Sequence, residues 1–219
     1  MPIKVDKIKD GLPISVIVPL SKKRQTFFNE IVLPMIEAND PIEIIINDNE
    51  GLAPKKRNDG FLKSTQPYIF FVDDDILLSK NLLNRMYDKL RIEELRSDST
   101  IGYAYCSYYG IVLHPDTHPL KQNFQINAIP FDGKKLKQGN YISTMSLIKR
   151  EYFPMFDESL KRLQDYDLWL TMLEKGIQGV FVPDTKFYAF YLDEGITANT
   201  NISEQDAYIE LIKKHKLGM

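Results

Sequence analysis

Tyr68-Ile69-Phe70-Phe71-Val72-Asp73-Asp74-Asp75 joins five apolar, β-favouring side chains directly to three carboxylates. An apolar run without polar alternation reads as a strand buried on both faces, the pattern of a parallel sheet covered by helices. In open α/β sheets, ligands bind beyond the carboxyl ends of the strands, and the acids stand at that end. Three adjacent carboxylates repel one another unless positive charge is placed among them. A hard divalent cation supplies it, and Mg2+ in particular combines one or two carboxylates with substrate phosphates. In isolation such a triplet is more often an acidic turn, here ahead of a helix begun at Ser79 or Asn81, since turns are rich in Asp. Its place after a buried strand favours a site.

The flanking segments extend the same architecture. Ile14-Ser15-Val16-Ile17-Val18-Pro19 is another apolar strand, stopped by Pro19. Residues 24–38 then carry Phe27, Phe28, Ile31, Val32 and Ile36 on one helical stripe, and Pro34 inside it calls for a kink or an interruption. Ile42-Glu43-Ile44-Ile45-Ile46 is a further strand running into Asn47-Asp48-Asn49-Glu50-Gly51, and Pro54 opens a helix through Lys63. Strand, helix, strand, helix, strand predicts an α/β fold with a mostly parallel central sheet flanked by helices. Asp48 and Asp73 to Asp75 then share one sheet edge.

Farther on, residues 79–96 have helical spacing and residues 101–106 form a strand. Residues 108–139 mix short β-like runs with Pro115, Pro119 and Pro130, and read as one wall of a cleft. His114 and His118 stand four apart, but the adjacent prolines favour a plain loop over a helical metal pair. Residues 141–148 read as a strand followed by a short helix from Lys149 or Arg150. A helix bearing Leu168, Met172 and Leu173 ends at Gly176. Residues 180–182 and 187–191 are late strands. Ser203 caps a closing helix with a basic end, which suits packing on its own domain better than lying on an anionic membrane. One domain over 1–219 is expected, with a nucleotide-binding half near 13–107, an acceptor half near 108–200 and a final helix near 203–216.

Charge and composition narrow the function. With 28 Lys plus Arg against 30 Asp plus Glu, the chain lacks the cationic surplus of a nucleic-acid binder. The lone Cys106 excludes an internal disulfide and fits a reducing compartment. No stretch reaches the apolar length of a transmembrane segment, and residues 1–10 lack a signal-peptide core. A cytoplasmic location is the expectation.

In order along the chain, these pieces resemble the family-2 inverting glycosyltransferases of the GT-A fold, the nucleotide-diphospho-sugar transferases. Residues 14–19 are similar to that family's opening strand, and residues 43–49 to its second strand with an acidic turn. Arg57-Asn58-Asp59-Gly60 resembles its Arg-Asn-x-Gly segment, and Phe71 to Asp75 its DXD strand. Phe156-Asp157-Glu158-Ser159-Leu160 resembles Phe-Asp-Glu-x-Leu, and Gln164-Asp165-Tyr166-Asp167-Leu168 resembles Glu-Asp-x-Asp-Leu.

The resemblance implies transfer of one sugar from a nucleotide-diphosphate sugar, a UDP-sugar first among them, to a hydroxyl of a glycan or other acceptor. It places Pro19, Leu20 and Ser21 in the nucleotide pocket, Asp48 at the base and Arg57 nearby. Asp73 is implied at the ribose side, with Asp74 beside it, and Asp75 with Asp73 on Mn2+ or Mg2+ bridging the diphosphate. Asp165 is the implied general base, at a helix N-terminus whose dipole favours the ionised carboxylate, and Asp167 supports it. As an N-cap, Asp165 would have a purely structural role. Trp169 reads as core rather than a sugar platform.

Three features depart from the family pattern. Gln164 stands where the family has an acid, and Asn49-Glu50-Gly51 replaces an Asp-Gly-Ser type turn. Tyr191 or Asp193 stands where many relatives carry a late His. The chain also lacks the membrane helices of polysaccharide synthases, which suits a distributive transferase. A transferase-like module that binds nucleotide sugar or glycan without turnover is the alternative from another class. Metal-dependent phosphoryl or nucleotidyl chemistry is a third, although no Gly-rich phosphate loop follows the first strand.

Overall fold

The structure, a computed structural model, describes residues 3–7, 11–116, 118, 120–191 and 203–217. Strands β1 (Lys4–Lys7) and β2 (Leu12–Pro19) lead through a 3-10 turn at Lys22–Arg24 into α1 (Gln25–Phe27). A π-helical segment, Phe28–Val32, joins α1 to α2 (Leu33–Glu37). The wider turn lies just ahead of Pro34, which has no N–H to donate, so the expected interruption takes the form of a local change of pitch. Then follow β3 (Pro41–Asn47), α3 (Ala53–Lys63), β4 (Tyr68–Phe71), β5 (Ile76–Leu78), α4 (Leu82–Arg96), β6 (Thr100–Val112) and β7 (Phe124–Ile126). The chain continues with α5 (Gly133–Leu136), β8 (Leu147–Lys149), α6 (Gln164–Glu174), β9 (Ile177–Tyr191) and α7 (Glu204–His215).

All strands join one sheet in the order β1-β3-β2-β4-β8-β6-β9-β5, with β7 paired to β6. The expected parallel arrangement holds for β3, β2 and β4, and again for β6 with β9. The ladders to β1, β5, β7 and β8 are antiparallel, so the sheet is mixed. Residues 180–182 and 187–191 belong to one irregular strand, with Asp184 in the left-handed region at φ 56°. Of residues 141–148 only the end is strand. Ser146 N–H bonds the Thr144 carbonyl, and the Ser143 hydroxyl accepts Met145 N–H, a local turn that takes donors a ladder would need.

Strand β4 is buried on both faces, as its composition requires. Phe70 joins Val16, Val18, Phe28, Ile36 and Met86 on the face covered by α2 and α4. Ile69 and Phe71 join Ile17, Ile45, Phe156 and Trp169 on the face of α3 and α6. Trp169 is fully buried, stacks on Tyr103 at 4.6 Å, and donates its indole N–H to the Ile142 carbonyl at 2.9 Å. It is core.

Two short motifs about a hundred residues apart hold each other. The Asn58 amide donates to the Phe156 carbonyl and accepts Phe156 N–H, both at 2.9 Å, and donates to Glu158 at 3.0 Å. A Cβ at Gly60 would lie 2.5 Å from the Ile17 methyl, so glycine lets α3 reach the sheet.

Helix α7 is capped by Ser203, whose hydroxyl accepts Asp206 N–H at 3.1 Å. Its other end is locked to α6. Both ring nitrogens of buried His215 stand 2.8 Å from carboxylate oxygens, Nδ1 from Glu174 and Nε2 from Asp167. Lys214 Nζ lies 2.7 Å from both Asp157 and Asp167. Removing one partner of a buried charged group leaves the others unsatisfied. His215→Ala is expected to cost about 2 kcal/mol because Lys214 still serves Asp167, which in a chain of this size lowers the melting temperature by about 4–8 °C. A calorimetric shift below about 1 °C would show that this contact does not anchor α7.

Candidate active site

Strands β2, β3 and β4 end together because Pro19 pairs with Asn47, and Ile17 with both Ile45 and Phe71. Beyond these ends opens a cleft of about 800 Å3. One wall is basic, with Lys23 and Arg24 from the turn after β2 and Lys56 and Arg57 from α3. The acidic triplet lies beside them. The rest of the lining includes Tyr108, His114, His118, Ser143, Asp165 and Tyr191.

The three acids have different surroundings. Asp73 accepts from Arg57 Nη2. Asp74 is buried; its Oδ2 accepts Ser21 N–H at 2.6 Å and its Oδ1 accepts Arg24 Nη1 at 2.7 Å. The same Arg24 nitrogen donates to Asp75 Oδ2 at 2.6 Å. Asp74 therefore ties the end of β4 to the turn after β2, whereas Asp73 and Asp75 keep 31% and 21% of their side chains exposed. Burial pushes the Asp75 carboxyl up to about 7, with the Asp73 and Asp74 charges adding to it and Arg24 opposing. Burial raises Asp74 as well, against Ser21 N–H and Arg24.

Arg57, which a solvent-facing helix cation would not resemble, is 5% exposed and lies over the Phe156 ring at 5.3 Å. Its Nε has no partner among the described residues. Pro19 and Ser21 lie on the cleft, as expected of a pocket turn. Leu20 does not offer its side chain. That is buried in the core, and only its carbonyl faces the site, where it accepts Lys56 Nζ at 2.7 Å. Asp48 stands past the end of β3, off the cleft lining, and its charge reaches Lys56.

Asp165 is the second residue of α6, while the N-cap position is held by Leu163 in a left-handed conformation, φ 57°. The capping role is thus excluded. Its Oδ2 accepts Asn140 Nδ2 at 2.9 Å. Burial raises its pKa despite Tyr166 N–H, Arg57 and Asn140, all of which favour the charged form. The helix terminus was expected to hold this carboxyl ionised; desolvation outweighs it, and the result is a more basic carboxylate. Gln164 also lines the cleft, and its amide donates to the Leu160 carbonyl at 3.1 Å. Asp167 is buried and faces Lys214 and His215 of α7.

Tyr191 lines the cleft, and its pKa is raised by burial, with the Asp75 and Asp165 charges both contributing. Asp193 lies outside the described residues. His114 and His118 sit in a loop as expected, and both line the cleft, in keeping with the wall read for residues 108–139. The His118 ring lies 6.0 Å from that of Tyr191, and its Nδ1 accepts Leu120 N–H at 3.0 Å. Arg24, Lys56 and Asn140 were not anticipated. Two Lys-Lys-Arg runs, 22–24 and 55–57, each shortly after a strand, were the available signal for the cations.

The donor set at the triplet is hard oxygen and, once Asp75 is ionised, its three carboxylates outnumber the two guanidiniums, which fits a hard divalent cation. Among the described residues no three His, Cys, Asp or Glu side chains converge into a complete cage. A cation held there would take its remaining ligands from a bound substrate and water, as is usual for Mg2+.

A mixed sheet flanked by helices, with a charged cleft beyond the ends of β2, β3 and β4, defines a GT-A glycosyltransferase architecture. Residues 27–155 match the sequence model of Glycosyl transferase family 2, more than half of the chain, and the chain belongs to that family. No curated protein sequence matches it. Among solved structures it is similar to S. aureus TarS 1–349 in complex with UDP-GlcNAc, with a TM-score of 0.62 at 15% identity over 93% of this chain and 65% of that one. It is also similar to GalNAc-T7 with UDP, GalNAc and Mn2+, with a TM-score of 0.55 at 14% identity over 95% of this chain and 50% of that one. The chain thus spans less than two thirds of either, and at these identities the likeness is one of fold.

With its folded-state pKa near 7 and an ordinary value near 4 when unfolded, Asp75 keeps its proton in the native state across that interval. The native state then binds more protons than the unfolded state, so stability falls as pH rises from about 4 to about 7. Asp75→Asn cannot ionise and removes this slope. In the ligand-free protein its melting temperature is expected to gain on the wild type between pH 5 and pH 8. Parallel curves over that range would contradict the charge crowding described above.

Proposed function

We propose that the protein transfers one sugar from a nucleotide-diphosphate sugar, a UDP-sugar, to a hydroxyl of a glycan or other acceptor, with inversion at the anomeric carbon. The observation that carries this reading is the joining of Asp165 to the acidic triplet across one cleft: Arg57 bonds Asp73, and its charge also acts on Asp165. The family membership and the UDP ligands of the TarS and GalNAc-T7 structures support the donor class.

In this reading 1–219 works as one unit, donor chemistry falling near 13–107 and acceptor binding near 108–200. Pro19, Ser21 and the Leu20 carbonyl with Lys56 border the nucleotide, Asp48 approaches its base, and Asp73 its ribose. Asp74 holds the frame. Asp75, with Asp73, is the seat for Mn2+ or Mg2+. When bound, the ion offsets the charge gathering on the departing diphosphate. The acceptor hydroxyl lies beside Asp165, among Tyr108, Ser143 and Tyr191. As its oxygen bonds to the anomeric carbon, the carboxylate of Asp165 takes its proton and the bond to the diphosphate oxygen breaks. One displacement inverts the centre. Asn140 and the Tyr166 N–H keep the carboxylate aimed.

Thermal-shift titration with nucleoside diphosphates and nucleotide sugars, with and without Mn2+, tests the donor site through ligand mass action. Metal-dependent stabilisation by one nucleotide family, lost in Asp75→Asn, is expected. Asp165→Asn is expected to lower turnover about 10²–10⁴-fold, the range for loss of a general base, while donor affinity stays within about threefold. Full turnover in that variant would remove Asp165 from the role. Nucleotide binding with no transfer to any acceptor in a broad glycan panel would instead favour a binding module.

A further inference from the structure

Arg24 carries no role in the scheme above, yet one of its nitrogens bonds two members of the acidic triplet. The turn that holds it is rigidly tied. Ser21 N–H is fixed to Asp74 Oδ2 at 2.6 Å, and Arg24 N–H bonds the Ser21 carbonyl at 2.9 Å. From that turn Nη1 reaches Asp74 Oδ1 at 2.7 Å and Asp75 Oδ2 at 2.6 Å, while the side chain stays on the cleft wall with 19% of its surface exposed. The guanidinium therefore stands where a divalent cation on Asp75 would have to approach. Two cations cannot share that oxygen without strong mutual repulsion. A diphosphate, however, offers a guanidinium a geometrically matched acceptor.

We infer that Arg24 is an exchangeable counter-ion of the donor site, paired with Asp74 and Asp75 when the cleft is empty and with the donor's diphosphate when it is filled. This rests on the donor-site reading above and deepens it. By occupying Asp75, Arg24 weakens metal binding to the free protein. By moving to the diphosphate it vacates that oxygen, so nucleotide and metal each favour the other's binding. Such coupling is reciprocal by linkage. Arg24 is thus a positioning residue for the metal and a contact for the leaving group.

The test is titration with Mn2+, reading the free-ion paramagnetic resonance signal, with and without UDP, in wild type, Arg24→Met, Arg24→Lys and Asp75→Asn. Arg24→Met is expected to bind Mn2+ alone about tenfold more tightly than wild type, to bind UDP more weakly, and to show a several-fold smaller enhancement of Mn2+ binding by UDP. Arg24→Lys, which keeps a cation able to serve both carboxylates through one nitrogen, is expected to stay near wild type for Mn2+ alone. This separates loss of charge from damage to the turn, as does the melting temperature of each variant. Unchanged or weaker Mn2+ binding in Arg24→Met, with Asp75→Asn still abolishing it, overturns the role of Arg24 and leaves the donor site standing. Mn2+ binding by none of the proteins, with UDP present or absent, removes the metal seat at Asp75 and the counter-ion role together.

Discussion

Three successive carboxylates at the end of a fully buried strand can persist only if cations are brought to them, and much of the site is the means of doing so. Arg24 comes from the turn after β2 and Arg57 from α3. Exposed ion pairs contribute little to stability, but these guanidiniums are buried or half-buried against acids that are themselves largely shielded from water, where loss of one partner is costly. The position of Arg57 in turn depends on packing. Phe156 lies under it, Asn58 clamps the Phe156 backbone, and Gly60 lets α3 close on Ile17. Electrostatics at the cleft and packing beneath it are therefore one problem with one solution.

On α6, across the cleft, the same economy appears. Two residues apart on a helix point about 200° apart. Asp165 accordingly faces the cleft while Asp167 faces α7, where Lys214 and His215 hold it. A helix gripped from behind presents its forward carboxylate more rigidly than a loop could. Lys214 and His215, from the basic end of α7, form this internal grip, in keeping with the expected packing of that helix on its own domain.

Hydrophobic pattern carried most of the architecture. The apolar runs of β2, β3 and β4, the interruption at Pro34, the cap at Ser203 and the left-handed stop at Gly176 were all legible, because each follows from local sterics or from burial on two faces. The extent of residues 141–148 was not, since Ser143, Thr144 and Ser146 satisfy one another in a turn that alternation alone does not disclose. Likewise, the antiparallel ladders to β5, β7 and β8 depend on long-range pairing that a run of apolar residues does not specify.

The site divides along the same line. The sequence by itself determined which carboxylates stand at the strand ends and that Asp165 opens a helix, because spacing along an element sets the face a residue occupies. Only the tertiary structure decided that the Leu20 side chain turns inward and that Asp74 ties the end of β4 to the turn after β2. It also decided the sign of the pKa change at Asp165, where burial outweighs the helix terminus. Desolvation and counter-ion placement depend on what packs around a group from distant parts of the chain, and that information is spread over the whole fold.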